Sequence, residues 1–371
     1  MKKALSVILS ATISLSAVVG FVGTALAGET EIEEKDYGKK VVFLVNGNLG
    51  DKGFFDSCAE GVNRLESDYG CDVKIVEMGR DESTYETYFR EAAESGYDLV
   101  ISTTFSVADV VEDITPDYPD VNFLVLDLSS DQPNVTSVTY KSNEAGYLAG
   151  AVAALKLDEG GDEKIDSAEK TLGFIGSMDQ SGINDFLVGY IEGVQAIDKD
   201  IKIITSYVGS FEDVATCKEM TTSLYKQGAQ IVYSPASQSI TGAVEASEEN
   251  DKYLIACDND IYTSTVDTDP DLVKNVLTTS MKRMGDSVVW AATGLWDGTL
   301  TAGENYSVGV KEGTIGLADN NNYQTLVSDA IRTQMSDIAS QLADGTITVS
   351  SAYDMDQDAV AELRESVAPE A

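Results

Sequence analysis

The chain has no histidine, and in 371 residues its 25 lysines and arginines are outnumbered by 63 aspartates and glutamates, a formal charge of −38. The missing imidazole removes Ser/His/Asp and Cys/His nucleophile pairs, His-ligated zinc and histidine proton shuttles. The shortage of cations argues against nucleic acid and anionic membrane surfaces as partners, because so acidic a surface repels phosphates instead of releasing their counterions. Four cysteines do not make a disulfide framework in a chain this long, and none of their spacings is CxxC, so zinc-ribbon and thioredoxin readings fail. They are expected to be buried thiols, with a Cys58 to Cys71 bridge as the sequence-near alternative in an exported protein. Only six prolines and 43% hydrophobic residues mark a folded protein, not a disordered acidic one, and the length suggests two domains.

Lys2 and Lys3 precede an uncharged run of apolar and small residues from Ala4 to Ala27 that ends in Ala25-Leu26-Ala27. This is the layout of a secretory signal peptide, here residues 1–27, followed by a polar linker over 28–38. An uncleaved membrane anchor is the alternative, since the run approaches the length of a span. No cysteine lies near its end, so there is no lipobox.

Short apolar runs then alternate with segments of helical period. VVFLV (41–45), VKIV (73–76), LVIST (99–103) and NFLVLD (122–127) read as strands buried on both faces of a parallel sheet. Between them Phe55, Cys58, Val62, Leu65 and Tyr69 recur at helical steps. The pattern restarts after the Ala/Leu-rich helix at 145–157 and the acidic loop at 158–170, with strands at 172–176, 201–208, 230–234 and 253–257. Two successive sets of βαβ units imply an α/β fold of two doubly wound parallel-sheet lobes. The acidic loop is expected to be a solvated surface insertion, with an interaction or calcium site as the alternative. Residues 323–344 are expected to form one amphipathic closing helix, stopped by Gly345.

Ligands of open parallel sheets bind beyond the carboxyl ends of the strands. The residues there include Asn46, Asp51, Phe54, Phe105, Asp127, Phe211, Gln238 and Asp258, with one downstream cation, Lys282. Aromatic faces stack on planar or pyranose rings, while carboxylates and amides serve hydroxyls and ring N–H groups. A nucleoside or a sugar fits this set. A phosphorylated ligand does not, because Asp127 and Asp258 would repel it and no glycine-rich loop opens a helix to cradle it. DTDPD (267–271) resembles the opening of the calcium motif of nucleoside hydrolases, but it sits mid-chain and continues as LVKN, so a turn built on Asp and Pro is the simpler reading.

At these same residues the chain resembles the basic membrane protein (BMP) family of ABC-transporter solute-binding proteins, which includes bacterial purine nucleoside receptors. The likeness is carried by GDKGFFDSCAEG (50–61), NEAGYLAGAVAA (143–154), LGFIGSMD (172–179), FLVGYIEGV (186–194), SYVGSFEDVATCKE (206–219), TTSMKRM (278–284) and VGVKEGTIGLA (308–318). It implies a type I periplasmic-binding fold with three hinge crossings, near 142, 281 and 303. One lobe would then comprise 39–142 plus 282–302, the other 143–281 plus 303–371. The resemblance also implies a base stacked between Phe54 and Phe211 and polar groups of ribose or base held by Asp127, Asp258 and Lys282. Asn46 stands where the family usually has an Asp that reads the base edge, and Phe55 replaces an Asn.

The expectation is therefore an exported, non-enzymatic, monomeric receptor without cofactor or metal. It would bind a nucleoside, a purine one in the family's pattern, and deliver it to ABC permease and ATPase subunits. A sugar- or autoinducer-type binding protein and a calcium-dependent nucleoside hydrolase are the alternatives.

Overall fold

Two six-stranded sheets order the chain in the computed structural model, which describes residues 35–50 and 53–370. The expected signal segment, most of the 28–38 linker and Asp51 lie outside the described residues. The first sheet is built from β1 (Lys40–Val45), β2 (Asp72–Glu77), β3 (Leu99–Thr103), β4 (Asn122–Leu126), β5 (Val135–Tyr140) and a late strand, β11 (Asn305–Val308), in the order β11-β5-β4-β3-β1-β2. All its pairings are parallel. Along β1 the side chains of Val41, Phe43 and Val45 enter one core and those of Val42 and Leu44 another, which is why the run is apolar without alternation. Helices α2 (Tyr85–Glu94) and α3 (Ala108–Ile114) cover one face; α1 (Phe54–Ser67) and α9 (Met284–Asp297) pack together over the other.

The second sheet holds β6 (Thr171–Gly176), β7 (Lys202–Tyr207), β8 (Ile231–Tyr233), β9 (Tyr253–Asp258), β10 (Val276–Lys282) and β12 (Ile315–Leu317), in the order β12-β10-β9-β8-β6-β7. Only β12 runs antiparallel to its neighbour. Helices α6 (Val214–Lys226) and α7 (Ile240–Asn250) cover one face, and α4 (Ser142–Glu159) and α5 (Ser181–Ile197) the other.

The sheets relocate one expected crossing. The chain changes lobe at Lys141, between β5 and α4, and again at Arg283, between β10 and α9. The third change falls at 309–314, not near 303, because β11 pairs with β5 in the first sheet. Residues 303–308 therefore belong to the first lobe. The sequence NYSV carries only one fully buried residue, so it lacks the apolar run that marks most of the other strands. Glu144, in the first turn of α4, ties two of these crossings: it pairs with Lys141 at 3.2 Å and accepts the Val310 backbone N–H at 2.8 Å.

The tail departs from expectation, whereas the Asp-Pro turn and the buried thiols agree with it. The tail helix is two helices, α10 (Asn321–Leu326) and α11 (Asp329–Ala343), because Val327 is extended and buried and Ser328 caps a new helix by accepting the Ile331 N–H at 3.3 Å. The acidic loop is anchored: Asp162 accepts from Lys156 at 2.8 Å and from the Tyr253 hydroxyl at 2.9 Å, Lys252 donates to the Lys164 carbonyl at 2.7 Å, and Ile165 is buried. The Asp-Pro string is a turn in which Asp269 accepts the Leu272 N–H at 3.2 Å. All four cysteines are buried thiols.

The closest helix crossing is that of α4 on α5. A Cβ on Gly146 would stand 2.1 Å from the Phe186 carbonyl oxygen, and one on Gly150 2.2 Å from that of Tyr190. Reciprocally, a Cβ on Gly189 would stand 1.9 Å from the Asn143 carbonyl oxygen and one on Gly193 2.2 Å from that of Tyr147. Four glycines, spaced by four on each helix, thus let the two backbones touch. Since the contact is with backbone, no side-chain rotation relieves an added methyl. Gly189→Ala is expected to destabilise the fold by at least about 1–3 kcal/mol, read as a lower denaturation midpoint; an unchanged midpoint would contradict the crossing.

Candidate ligand-binding cleft

Both sheets direct the carboxyl ends of their parallel strands toward one cleft of about 1130 Å³. On the first lobe it is lined by Asn46, following β1; Phe54, at the start of α1; Phe105, following β3; and Asp127, following β4. On the second lobe Phe211 follows β7, Gln238 follows β8 and Asp258 ends β9, while Lys282, the last residue of β10, lies at the hinge. The fold thus brings the expected set together in one cleft, with Asp51 outside the described residues. Phe105 is strongly exposed, whereas Phe55 is buried, edge to face with Phe54 at 5.4 Å.

Backbone strain concentrates here. Positive φ angles occur at five described non-glycine residues: Thr104 (64°), Asp127 (61°), Ser237 (50°), Asp251 (50°) and Asp258 (70°). All but Asp251 line the cleft, and Asp251 has the ordinary task of ending α7. Such conformations cost about 1–3 kcal/mol each and persist where surrounding structure enforces them, which happens most at functional sites. Thr104, β-branched with φ 64° and ψ 162°, is the least favourable of the set.

Lys282 is the electrostatic centre. It is buried, donates to Asp127 Oδ1 at 2.8 Å, and its ammonium lies 4.7 Å from the Tyr140 ring centroid and 5.5 Å from that of Phe54. Burial is the largest single influence on this amine and lowers its pKa, but the charges of Asp127 and Asp258 and the hydrogen bond to Asp127 outweigh it. The result is a lysine held above its ordinary value of 10.5, charged at physiological pH. The ion pair also spans the lobes, since Asp127 follows a strand of the first sheet and Lys282 ends one of the second.

Asn46, expected to meet a ligand directly, has its amide committed inside the protein. Its Nδ2 donates to Thr104 Oγ1 and Ser106 Oγ, both at 2.6 Å, and its Oδ1 accepts from Thr103 Oγ1 at 2.8 Å. Because the amide is the donor, the protons of the Thr104 and Ser106 hydroxyls are directed away from it, and both residues line the cleft. An Asp there could only accept from them, so the exchange reverses the polarity of this corner.

Sequence reasoning missed three features. Arg80 of the first lobe forms an ion pair with Glu212 of the second, and both line the cleft. The rule of inspecting strand ends, applied after β2, reaches Arg80 within three residues; Glu212 adjoins Phe211. Asp185, buried in α5, accepts from the Asn143 N–H at 2.8 Å, the Ser351 hydroxyl at 2.7 Å and the Ala352 N–H at 2.9 Å. Burial raises its pKa against those three bonds. Tyr353 lines the cleft from far down the chain, where no strand end pointed to it.

The sequence profile of the family described as ABC transporter substrate-binding protein, PnrA-like, matches residues 38–348. The chain belongs to this family. Among curated relatives, an "ABC transporter nucleoside-binding protein BmpA" of Lactococcus lactis is 30% identical over 372 residues, covering 94% of this chain and 99% of the relative. "Basic membrane protein A" of Borreliella burgdorferi is 26% identical over 320 residues, covering 84% of this chain and 88% of its own. A solved solute-binding protein of an ABC transporter system from Aeropyrum pernix shares the fold, with a TM-score of 0.73 at 22% identity over 88% of this chain and 98% of that one. The fold is thus the type I architecture of solute-binding proteins. In this BMP-family chain three of the resembling motifs have packing explanations: NEAGYLAG and FLVGYIEGV are the facing glycine stripes of α4 and α5, and the last glycine of GDKGFFDSCAEG is Gly61, whose Cβ would stand 2.4 Å from the Gly285 carbonyl oxygen.

The raised pKa of Lys282 sets a pH dependence. A lysine whose folded pKa exceeds its unfolded value contributes stability that is full below about 10.5 and is lost as pH rises through the folded value. Asp127→Asn is therefore expected to lower stability by about 1–3 kcal/mol at neutral pH, with the deficit shrinking above pH 10.5. Thermal melts of both proteins across pH 7–11.5 check this; a pH-independent deficit would contradict the charge pairing.

Proposed function

We propose that this family member is an exported, non-enzymatic receptor that binds a nucleoside, purine in preference, and delivers it to the permease of an ABC importer. The observation that carries the reading is the division of the cleft. Phe54 and Phe211 line it from opposite lobes and suit a planar base, while Asp127, Asp258 and Lys282 supply the acceptors and the cation that ribose hydroxyls use. The net charge and the absence of a phosphate-binding loop favour an uncharged ligand. The name of the Lactococcus relative, a nucleoside-binding protein, points the same way. The lobes close about the crossings at 141, 283 and 309–314, and occupancy favours closure because only the closed state gains contacts from both walls.

Calorimetry with adenosine, guanosine, inosine, cytidine, uridine, ribose and glucose tests the ligand. Binding of a nucleoside, tightest for a purine, is expected; heat with a sugar but with no nucleoside would overturn the reading. Inosine is expected to be recovered intact after prolonged incubation with the protein, and release of hypoxanthine would overturn the non-enzymatic assignment. Phe211→Ala is expected to weaken nucleoside binding by about 3 kcal/mol, roughly 10²-fold; an unchanged affinity would remove Phe211 from the site.

A further inference from the structure

Past residue 348, where the family profile ends, the chain continues as a strap over the second lobe: a single turn at Ala352–Asp354, then α12 (Gln357–Ser366). The strap is fixed along its length. Asp185 holds its start through the Ser351 hydroxyl and the Ala352 N–H, and Ala352 and Val360 are buried with Val188 of α5. Farther on, Arg364 pairs with Asp179 at 3.2 Å and lies 5.6 Å from the Tyr207 ring centroid, and the Val367 carbonyl accepts the Ile203 N–H at 2.8 Å.

Such anchoring delivers one side chain, Tyr353, to the cleft wall. Its neighbour there is the first turn of α5, where Gly182 makes room: a Cβ on Gly182 would stand 3.2 Å from the tyrosine hydroxyl. Tyr353 is 66% exposed, and among the described residues the other large hydrophobic so exposed is Phe105, at 61%, on the opposite lobe of the same cleft. Among the described residues the other large apolar side chains are more completely buried, so these two exposed aromatic faces in one ligand-sized cavity mark surface kept open for binding. The phenol also feels the charges of Asp127 and Lys282, and since a tyrosine ordinarily titrates near 10 and this one no lower, it is protonated at neutral pH and can donate.

We propose that Tyr353 is a ligand-contacting, specificity-determining residue supplied by this C-terminal strap. Its ring covers the bound ligand as the lobes close, and its hydroxyl hydrogen-bonds the ligand's hydroxyl-bearing end beside the Asp127–Lys282 pair. Asp185 acts as the positioning residue that fixes the strap. This role rests on the nucleoside reading above and extends it beyond the segment that the family profile covers.

The test uses the full chain and its Tyr353→Ala and Tyr353→Phe variants, titrated with whichever of the five nucleosides the wild type binds most tightly. Tyr353→Ala is expected to weaken binding at least about tenfold and Tyr353→Phe about threefold or more, with the unliganded thermal midpoints unchanged because the side chain is largely exposed. Wild-type affinity in Tyr353→Ala would overturn the proposal, and wild-type affinity in Tyr353→Phe would overturn its hydroxyl contact. The wild-type titration separates the two readings: if it binds ribose or glucose but no nucleoside, the ligand class is wrong, and the same variants are judged with that sugar. If none of these probes binds, mass spectrometry of small molecules released from denatured wild type and Tyr353→Ala decides. Equal retention overturns the role of Tyr353; loss from the variant supports it.

Discussion

A lysine ammonium buried between two lobes has to be paid for by charge, and the pairing of Lys282 with Asp127 does this across the hinge. The 2.8 Å contact joins the end of a strand in the second sheet to the residue after a strand in the first. Burial alone favours the neutral amine; with Asp127 and Asp258 nearby the lysine stays charged. The pair therefore fixes the electrostatic character of the cleft and links the two halves of the molecule in one interaction. Aromatic rings on either side, Tyr140 and Phe54, supply faces to the same ammonium without adding charge.

Around that centre the fold places strain where the chemistry is and relaxed packing elsewhere. Thr104, Asp127, Ser237 and Asp258 are held with positive φ at strand ends on both lobes. In the second lobe the layer behind the sheet is held by the backbone-to-backbone crossing of α4 on α5. A strained strand end keeps its geometry only if the layer beneath it cannot yield.

The strands that could be read from sequence are those with continuous apolar or β-branched runs, β1 to β4 and β6 to β9, although the edge strands β2 and β7 prove only partly buried. Strands β5 and β10 were not legible, because they are rich in Thr and Ser that are nonetheless buried. Thr136 accepts the Gly303 N–H, Ser137 accepts that of Ser130, Thr278 donates to the Ala318 carbonyl, and Ser280 bonds the Tyr233 hydroxyl. Hydrogen bonds to distant residues make those positions affordable in a core, and no local pattern announces them. Strand β11 was hidden for the opposite reason, being an exposed edge. In the cleft, strand-end position and side-chain type were enough to collect Phe54, Asp127, Phe211, Asp258 and Lys282. Asn46 was found by the same rule, but the direction of its amide depends on Thr103, Thr104 and Ser106, about 58 residues away in sequence.

By itself the sequence determined what depends on composition and short-range pattern. It fixed the acidic surface, the absence of imidazole chemistry, the two βαβ arrays and the residue types at the strand ends. Tertiary structure alone decided which of those ends face one another, that 303–308 completes the first lobe, that Arg80 reaches Glu212, and that a strap held by Asp185 puts Tyr353 into the cleft. The physical reason is the range of the forces involved. Burial and backbone propensity act over a few neighbouring residues and leave a periodic trace, whereas an ion pair, a committed amide or a delivered side chain depends on groups that only folding brings within a few ångströms.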